Sequence, residues 1–356
     1  MKQAHGILFG MALIVACSIF AQSQSGGTYV IQKSVIAGGG DRSSGGTFTL
    51  DGTIGQAVAG TTSAGGNFSL TSGFWASALR RTPFDYDGDG KSDVSVFRPS
   101  DNVWYLNRSQ TGFASFQFGA AGDILVPADF TGDGKTDIAV FRPANGTWYI
   151  MRSEDNTFYG TAFGANGDIP APGDYDGDGK ADLAVYRPGQ GTWFLQRSTA
   201  GFTAVQFGTA EDKPAIGDFD GDGKNDIALF RPSTGVWYRI NSSNGSFTGI
   251  QFGVASDEIV PADYTGDGKT DIAVWRPSNG NWYVLRSEDL SFFGSQFGAT
   301  NDLPAPGDYD GDGKADIAVW RPGAQGIFYI QGSTSGFTAT PWGVTGDKPT
   351  PSAFVF

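Results

Sequence analysis

A nine-residue pattern, D-x-(D/T)-G-D-G-K-x-D, returns six times in this chain. Its first aspartate falls at Asp85, Asp129, Asp174, Asp218, Asp263 and Asp308, so successive copies stand 44 or 45 residues apart. A fixed period of about 40 to 45 residues is the signature of one four-stranded blade per repeat, because a unit of that size cannot bury its apolar face alone and must stack on its neighbours. The third unit reads as four strands, PAPGDYDG, ADLAVYRP, GTWFLQRS and FTAVQFG, separated by Gly, Asp or Ser. The second strand of each unit is apolar at nearly every position, as in Ile138-Ala139-Val140-Phe141, which suits a strand covered on both faces. The expected fold class is therefore all-β, a β-propeller of four-stranded blades.

A longer period overlies the short one. The second and fifth units share PAD(F/Y)TGDGKTDIAV followed by RSED, and the third and sixth share PAPGDYDGDGKAD, at an offset of 134 residues. The six units read as a duplicated block of three. After the sixth, the chain begins a seventh unit, GDKPTPSAFVF, in which Ala353 takes the place of the first loop aspartate. A lone strand needs partners. Residues 24–80, Gly/Ser-rich, contain TYVIQKSVIA, GTFTLDGTIGQ and GNFSLTSGFW, which read as three strands. Three N-terminal strands and one C-terminal strand would complete a seventh, composite blade. The alternative is six blades beside a small N-terminal β module.

The N-terminus carries Lys2, an apolar run from Ile7 to Phe20 and the small-residue exit AQSQSGG, the layout of a secretory signal peptide over residues 1–23. The run is short for a membrane span. Cys17 also permits a lipoprotein-type cleavage as an alternative. The domain reading is a signal at 1–23, an N-terminal β module at 24–80 and propeller repeats over 81–356. The only cysteine, Cys17, and the only histidine, His5, lie in the signal. Without them the mature chain has no disulfide framework, no Cys/His zinc site and no Cys or Ser-His-Asp nucleophile.

The net charge is −13, yet the six loops hold 22 of the 37 acidic residues. Six divalent ions would nearly cancel it, so the acidity reads as metal capacity and excludes nucleic acid as a partner. Side-chain oxygens at positions 1, 3, 5 and 9, a glycine at 6 for a sharp turn and a backbone carbonyl at 7 form a hard-oxygen donor set suited to calcium. In the first loop these positions are Asp85, Asp87, Asp89, Lys91 and Asp93, and in the second Asp129, Thr131, Asp133, Lys135 and Asp137. The third has Asp174, Asp176, Asp178, Lys180 and Asp182, and the fourth Asp218, Asp220, Asp222, Lys224 and Asp226. The fifth has Asp263, Thr265, Asp267, Lys269 and Asp271, and the sixth Asp308, Asp310, Asp312, Lys314 and Asp316. Thr131 and Thr265 remove one carboxylate each, so those two sites are expected to be weaker.

The loop, the D-(I/L)-A-V strand after it, and Phe163-Gly164 and Ala171-Pro172-Gly173 ahead of it resemble the FG-GAP and VCBS-type repeats of integrin-alpha-like propellers, over residues 83–351. The resemblance implies up to six structural calcium ions in a β-propeller, commonly seven-bladed, of the kind found in extracellular binding and adhesion proteins. It does not carry over a ligand site.

Two further features repeat once per unit. Trp104, Trp148, Trp193, Trp237, Trp282 and Phe328 read as filler between blades in preference to sugar-stacking platforms. Arg98, Arg142, Arg187, Arg231, Arg276 and Arg321 read as stacked and hydrogen-bonded within the blade in preference to a ring for anionic glycans. The functional expectation is a secreted, monomeric, calcium-stabilised propeller that binds extracellular polysaccharide or a surface protein, with no catalytic constellation. The alternatives are a polysaccharide-degrading enzyme using carboxylate, Tyr or Arg, and a passive cell-surface structural protein.

Overall fold

The computed structural model describes residues 81–355 in full and, between residues 24 and 71, the backbone of three hairpins. The chain divides into two units, Met1–Ala78 and Leu79–Phe356. In the first, Gln24–Gly26 pairs with Tyr29–Ile31, Asp41–Gly45 with Phe48–Gly52, and Thr62–Gly65 with Phe68–Thr71, each as a separate two-stranded sheet. The three strands read from the sequence each contain the second strand of one hairpin. Residues 1–23, expected to be a signal and containing His5 and Cys17, lie outside the described residues.

The second unit is a β-propeller of six four-stranded antiparallel blades. Blade 3 shows the plan: Ile169–Pro170, Leu183–Arg187, Thr192–Arg197 and Gly201–Gln206 are hydrogen-bonded in that order. The second strand is buried at four successive positions, the third alternates, and the fourth alternates between half-buried and exposed. Burial thus falls from the second strand to the edge strand, as stacked blades require. Trp104, Trp148, Trp193, Trp237, Trp282 and Phe328 are 0–4 % exposed. Trp148, for instance, packs in one cluster with Phe141 of its own blade and Val185 of the next, so these aromatics are filler between blades.

The expectation of seven blades is corrected. Blades 2 to 6 are continuous in sequence, whereas blade 1 takes its first strand, Lys348–Pro349, from the C-terminus. Lys348 pairs with Phe97 and Pro349 with Val96. The orphan strand therefore completes the first repeat, whose own stretch of chain provides three strands; among the described residues each N-terminal hairpin is a two-stranded sheet. Six repeats already turn through the full circle, so the C-terminal strand meets the unfilled edge of blade 1. Where a seventh aspartate loop would start, Thr350–Ser352 instead forms a 3-10 turn.

The six loops join the first and second strands of their blades and form a second closed ring. The position-8 N–H of each loop donates to the position-1 carbonyl of the loop before it: Thr136 to Asp85 at 2.6 Å, Ala181 to Asp129 at 2.7 Å, Asn225 to Asp174 at 2.6 Å, Thr270 to Asp218 at 2.6 Å, Ala315 to Asp263 at 2.7 Å, and Ser92 to Asp308 at 2.7 Å. The last bond returns from the sixth loop to the first.

Candidate metal centres

The local sequence builds each loop. In blade 3, Asp174 Oδ1 accepts the Gly177 N–H at 2.6 Å and its Oδ2 the Gly179 N–H at 2.8 Å, so position 1 folds the chain back on itself. Gly177 and Gly179 have φ of +79° and +87°, left-handed values that favour glycine. Asp178 at position 5 accepts the Lys180 N–H at 2.9 Å and the Ser198 hydroxyl at 2.5 Å. Asp182 at position 9 accepts the Tyr175 N–H at 2.9 Å and the Ser198 N–H at 2.7 Å, which ties the loop to the turn between the third and fourth strands.

These bonds hold carboxylates together that would otherwise repel. In four loops the side-chain oxygens of positions 1, 3 and 9 lie within 4.8 Å of one another: Asp85, Asp87 and Asp93; Asp174, Asp176 and Asp182; Asp218, Asp220 and Asp226; Asp308, Asp310 and Asp316. The position-5 aspartates, Asp89, Asp133, Asp178, Asp222, Asp267 and Asp312, stand outside those triads, each accepting a hydroxyl from a turn serine. At position 7, the side chains of Lys91, Lys135, Lys180, Lys224, Lys269 and Lys314 each lie against the position-4 glycine of the preceding loop. The loops containing Thr131 and Thr265 form no such triad among the described residues.

The electrostatics point to a missing positive charge. Burial, reinforced by the Asp87 charge, raises the Asp93 carboxyl to about 7, against donation from the Ser109 and Tyr86 N–H groups. Burial likewise pushes Asp137, Asp182 and Asp316 up to about 6. Asp85, Asp174, Asp218 and Asp308 are raised by burial and by neighbouring aspartates. Arg81 supplies a protein cation at one place, with Nε 3.3 Å from Asp129 and Nη1 3.7 Å from Asp174. The donor set fits a hard cation. Asp87, 9 % exposed, keeps Oδ1 sealed from water without a hydrogen-bond partner, and the position-3 hydroxyls of Thr131 and Thr265 are likewise sealed and unpartnered. An oxygen left in that state costs desolvation energy unless an ion takes it up.

The six arginines are not free to read a ligand. Each makes a bidentate pair with an aspartate 19 residues earlier or, in blade 1, with Asp347 from the C-terminus; Arg187 Nε and Nη2 lie 2.7 and 2.8 Å from Asp168. The same pair recurs as Arg142–Asp123, Arg231–Asp212, Arg276–Asp257 and Arg321–Asp302. The guanidinium also lies over a third-strand ring, 4.3 Å from Tyr105 and 4.5 Å from Phe194. The stacking arginine was legible in the sequence and its aspartate partner was not, although an aspartate stands 19 positions before five of the six arginines.

Where the loops converge, a cavity of about 400 Å³ is lined by residues of all six blades, among them Pro172, Ile216, Pro261, Pro306 and the C-terminal Phe354, with Arg81 at its edge. No helix among the described residues is long and apolar enough to cross a membrane.

The FG-GAP-like repeat family matches residues 85–140, 129–185, 174–229, 218–274 and 263–319. A search of the curated proteins finds no match. Among solved structures, TolB from Acinetobacter baumannii is similar with a TM-score of 0.52 and 19 % identity, over 76 % of this chain and 68 % of TolB. Virginiamycin B lyase from Staphylococcus aureus follows at 0.49 and 9 %, over 76 % and 87 %. An Agrocybe aegerita lectin that recognises non-reducing terminal N-acetylglucosamine gives 0.47 and 18 %, over 75 % and 80 %. At these identities the likeness to TolB speaks for the propeller fold alone.

Proposed function

This chain belongs to the FG-GAP-like repeat family, and from that premise we propose that it is a secreted, calcium-stabilised propeller acting as an extracellular binding module for polysaccharide or a surface protein. The observation that carries the reading is the set of position-1, -3 and -9 carboxylate triads, each with a buried position-9 aspartate and the first buried at all three residues, where Asp87 keeps one oxygen without a partner. Calcium supplies the positive charge that these oxygens lack. The chain does the rest: backbone N–H groups aim the carboxylates inward, and the ring of position-8 to position-1 hydrogen bonds couples each loop to the next. A ring held this way gives a rigid rim around the axial cavity, which is the site we assign to the ligand. Modules of this kind bind calcium with dissociation constants of about 10⁻⁴ to 10⁻³ M, and an ion at 100 times its dissociation constant adds about 2.7 kcal/mol per site.

The test uses the mature chain in calcium and in chelator. Its melting temperature should rise with calcium, and it should retain a glycan on an array, or a surface component in a pull-down, only when calcium is present. An unchanged melt removes the calcium. A calcium-stabilised protein that retains nothing is a structural spacer.

A further inference from the structure

We propose that in blades 2 and 5 the carboxylate missing from loop position 3 is delivered from the neighbouring turn by Glu154 and Glu288, so that all six loops present the same acidic count to an ion. The inference rests on the calcium reading above and replaces the expectation that these two sites are weak.

The turn between the third and fourth strands of each blade bonds directly to the loop. In every blade its serine is anchored on the loop; in blades 2 and 5, Ser153 N–H donates to Asp137 and Ser287 N–H to Asp271, both at 2.7 Å. The residue after that serine stands over loop position 3. In the four blades with an aspartate there, its N–H reaches the carboxylate: Gln110 to Asp87 at 3.0 Å, Thr199 to Asp176 at 2.9 Å, Ser243 to Asp220 at 3.4 Å and Thr334 to Asp310 at 2.9 Å. The Ser243 hydroxyl also reaches Asp220 at 2.6 Å, so a side chain at this turn position touches position 3 directly.

In blades 2 and 5 the acid stands on the other side of this contact, where the other blades have Gln110, Thr199, Ser243 and Thr334. Position 3 becomes Thr131 or Thr265, and the turn residue becomes Glu154 or Glu288. The acid moves across the contact and the hydroxyl takes its place, twice. A glutamate is longer than an aspartate, as the reversed direction of reach requires. The adjacent acids are already engaged: Asp155 accepts the Thr157 N–H at 2.9 Å and Asp289 the Ser291 N–H at 2.8 Å, each capping its own turn. Glu154 and Glu288 are exposed and can rotate inward. In blade 5, Thr265 and Glu288 line one open depression beside the loop, together with Arg286 and Lys314. The buried, unpartnered hydroxyls of Thr131 and Thr265 mark the place where the oxygen set is incomplete.

The test is calcium titration by calorimetry on the mature chain, on the E154Q/E288Q variant, and on that variant with T131D/T265D added. Both glutamates are exposed, so the fold should be indifferent to the amides, which circular dichroism checks. The expected result is six ions in the starting protein, two of them weakened by about tenfold or more in E154Q/E288Q, as loss of one ligand charge implies, and recovered when the two aspartates are added. A starting protein that binds only four ions, or an E154Q/E288Q variant that titrates like it, overturns the inference and leaves the calcium reading standing. A protein that binds none overturns both.

Discussion

Blade 1 and blade 3 contain the same parts assembled in different ways. Blade 3 is one continuous stretch of chain, whereas blade 1 joins Lys348–Pro349 to strands that begin at Val94. The arginine–aspartate pair of the continuous blade is reproduced at the closure, and its tyrosine bond has a side-chain counterpart. Arg98 pairs with Asp347 as Arg187 pairs with Asp168, with Nε–Oδ1 distances of 2.7 Å in both. The Tyr175 hydroxyl donates to the Ala171 carbonyl of its own chain segment, and the equivalent Tyr86 donates to Thr350. Phe354 stacks on Phe84, and the Ser352 hydroxyl donates to the Pro304 carbonyl of blade 6. The difference teaches that the closure strand itself is only two residues, and that side chains on either side of it hold the ring shut.

The largest test of that comparison removes residues 347–356. It strips blade 1 of its first strand, leaves Arg98 without its partner and bares the edge of Val94–Arg98. The melting temperature should fall markedly and the protein should associate through the freed edge; an unchanged melt and a monomer would show that three strands suffice for blade 1. Next come the single changes Asp347→Ala and Asp168→Ala. Each removes a carboxylate that is 0–1 % exposed from an arginine that is 26–29 % exposed, and each should cost about 1.5 to 3 kcal/mol, the worth of hydrogen bonds to a charged group whose remaining partner still reaches water. Equal costs by denaturant melts would establish that the closed blade is as tightly built as a continuous one, and a much smaller cost for Asp347→Ala would locate the weak seam.

The pH response sharpens the same contrast. Asp93 of blade 1 is raised to about 7 and Asp182 of blade 3 to about 6. A carboxyl raised on folding means that the native state holds more protons than the unfolded chain, so its stability falls as pH rises through those values. In chelator, the melting temperature should therefore drop between pH 5 and pH 8, and Asp93→Asn should flatten the drop more than Asp182→Asn. In calcium the slope should vanish or reverse, since ligands must be ionised. A chelated protein that gains stability over that range contradicts the account of the loops.

The smallest effect separates blades 2 and 3. Trp148 Nε1 donates to the Phe163 carbonyl at 2.8 Å, whereas the buried Trp193 Nε1 has no partner and Tyr186 bonds the Thr209 carbonyl at 2.5 Å instead. Trp148→Phe should cost about 1 kcal/mol more than Trp193→Phe, the net worth of one hydrogen bond, measured by parallel urea titrations.

The loops and strands could be read in advance because they are local and repeated. Gly177 and Gly179, the apolar second strand and the once-per-unit aromatic all declare themselves within a few residues, and six copies average out the accidents of one. The arginine stacking was legible for the same reason. Its aspartate partner was not, because 19 residues and two strands intervene and nothing local marks Asp168 as buried. The alternation of PGD and PAD units also had no visible cause. A Cβ on Gly173 would lie 2.4 Å from Asn225 of the next loop, and one on Gly217 2.5 Å from Thr270. Ala128 and Ala262, in contrast, are followed one unit later by the small Ala181 and Ala315 at position 8, whose N–H groups donate to the Asp129 and Asp263 carbonyls. In units 2 to 6 the residue before position 1 is matched to the next loop's position 8, a constraint that crosses blades; unit 1 differs, with Phe84 before Asp85 and Thr136 in the next loop.

The sequence by itself determined the blade, its strands, its acidic loop and the orientation of its aromatic filler, since all of these follow from short-range sterics and the two-residue period of a strand. The tertiary structure alone decided how many blades close the circle and which edge receives Lys348–Pro349. A strand's pattern states only that it needs a neighbour. The identity of that neighbour is set by the angle each blade turns through, which is a property of packed faces, and here six such turns bring residue 348 back to residue 97.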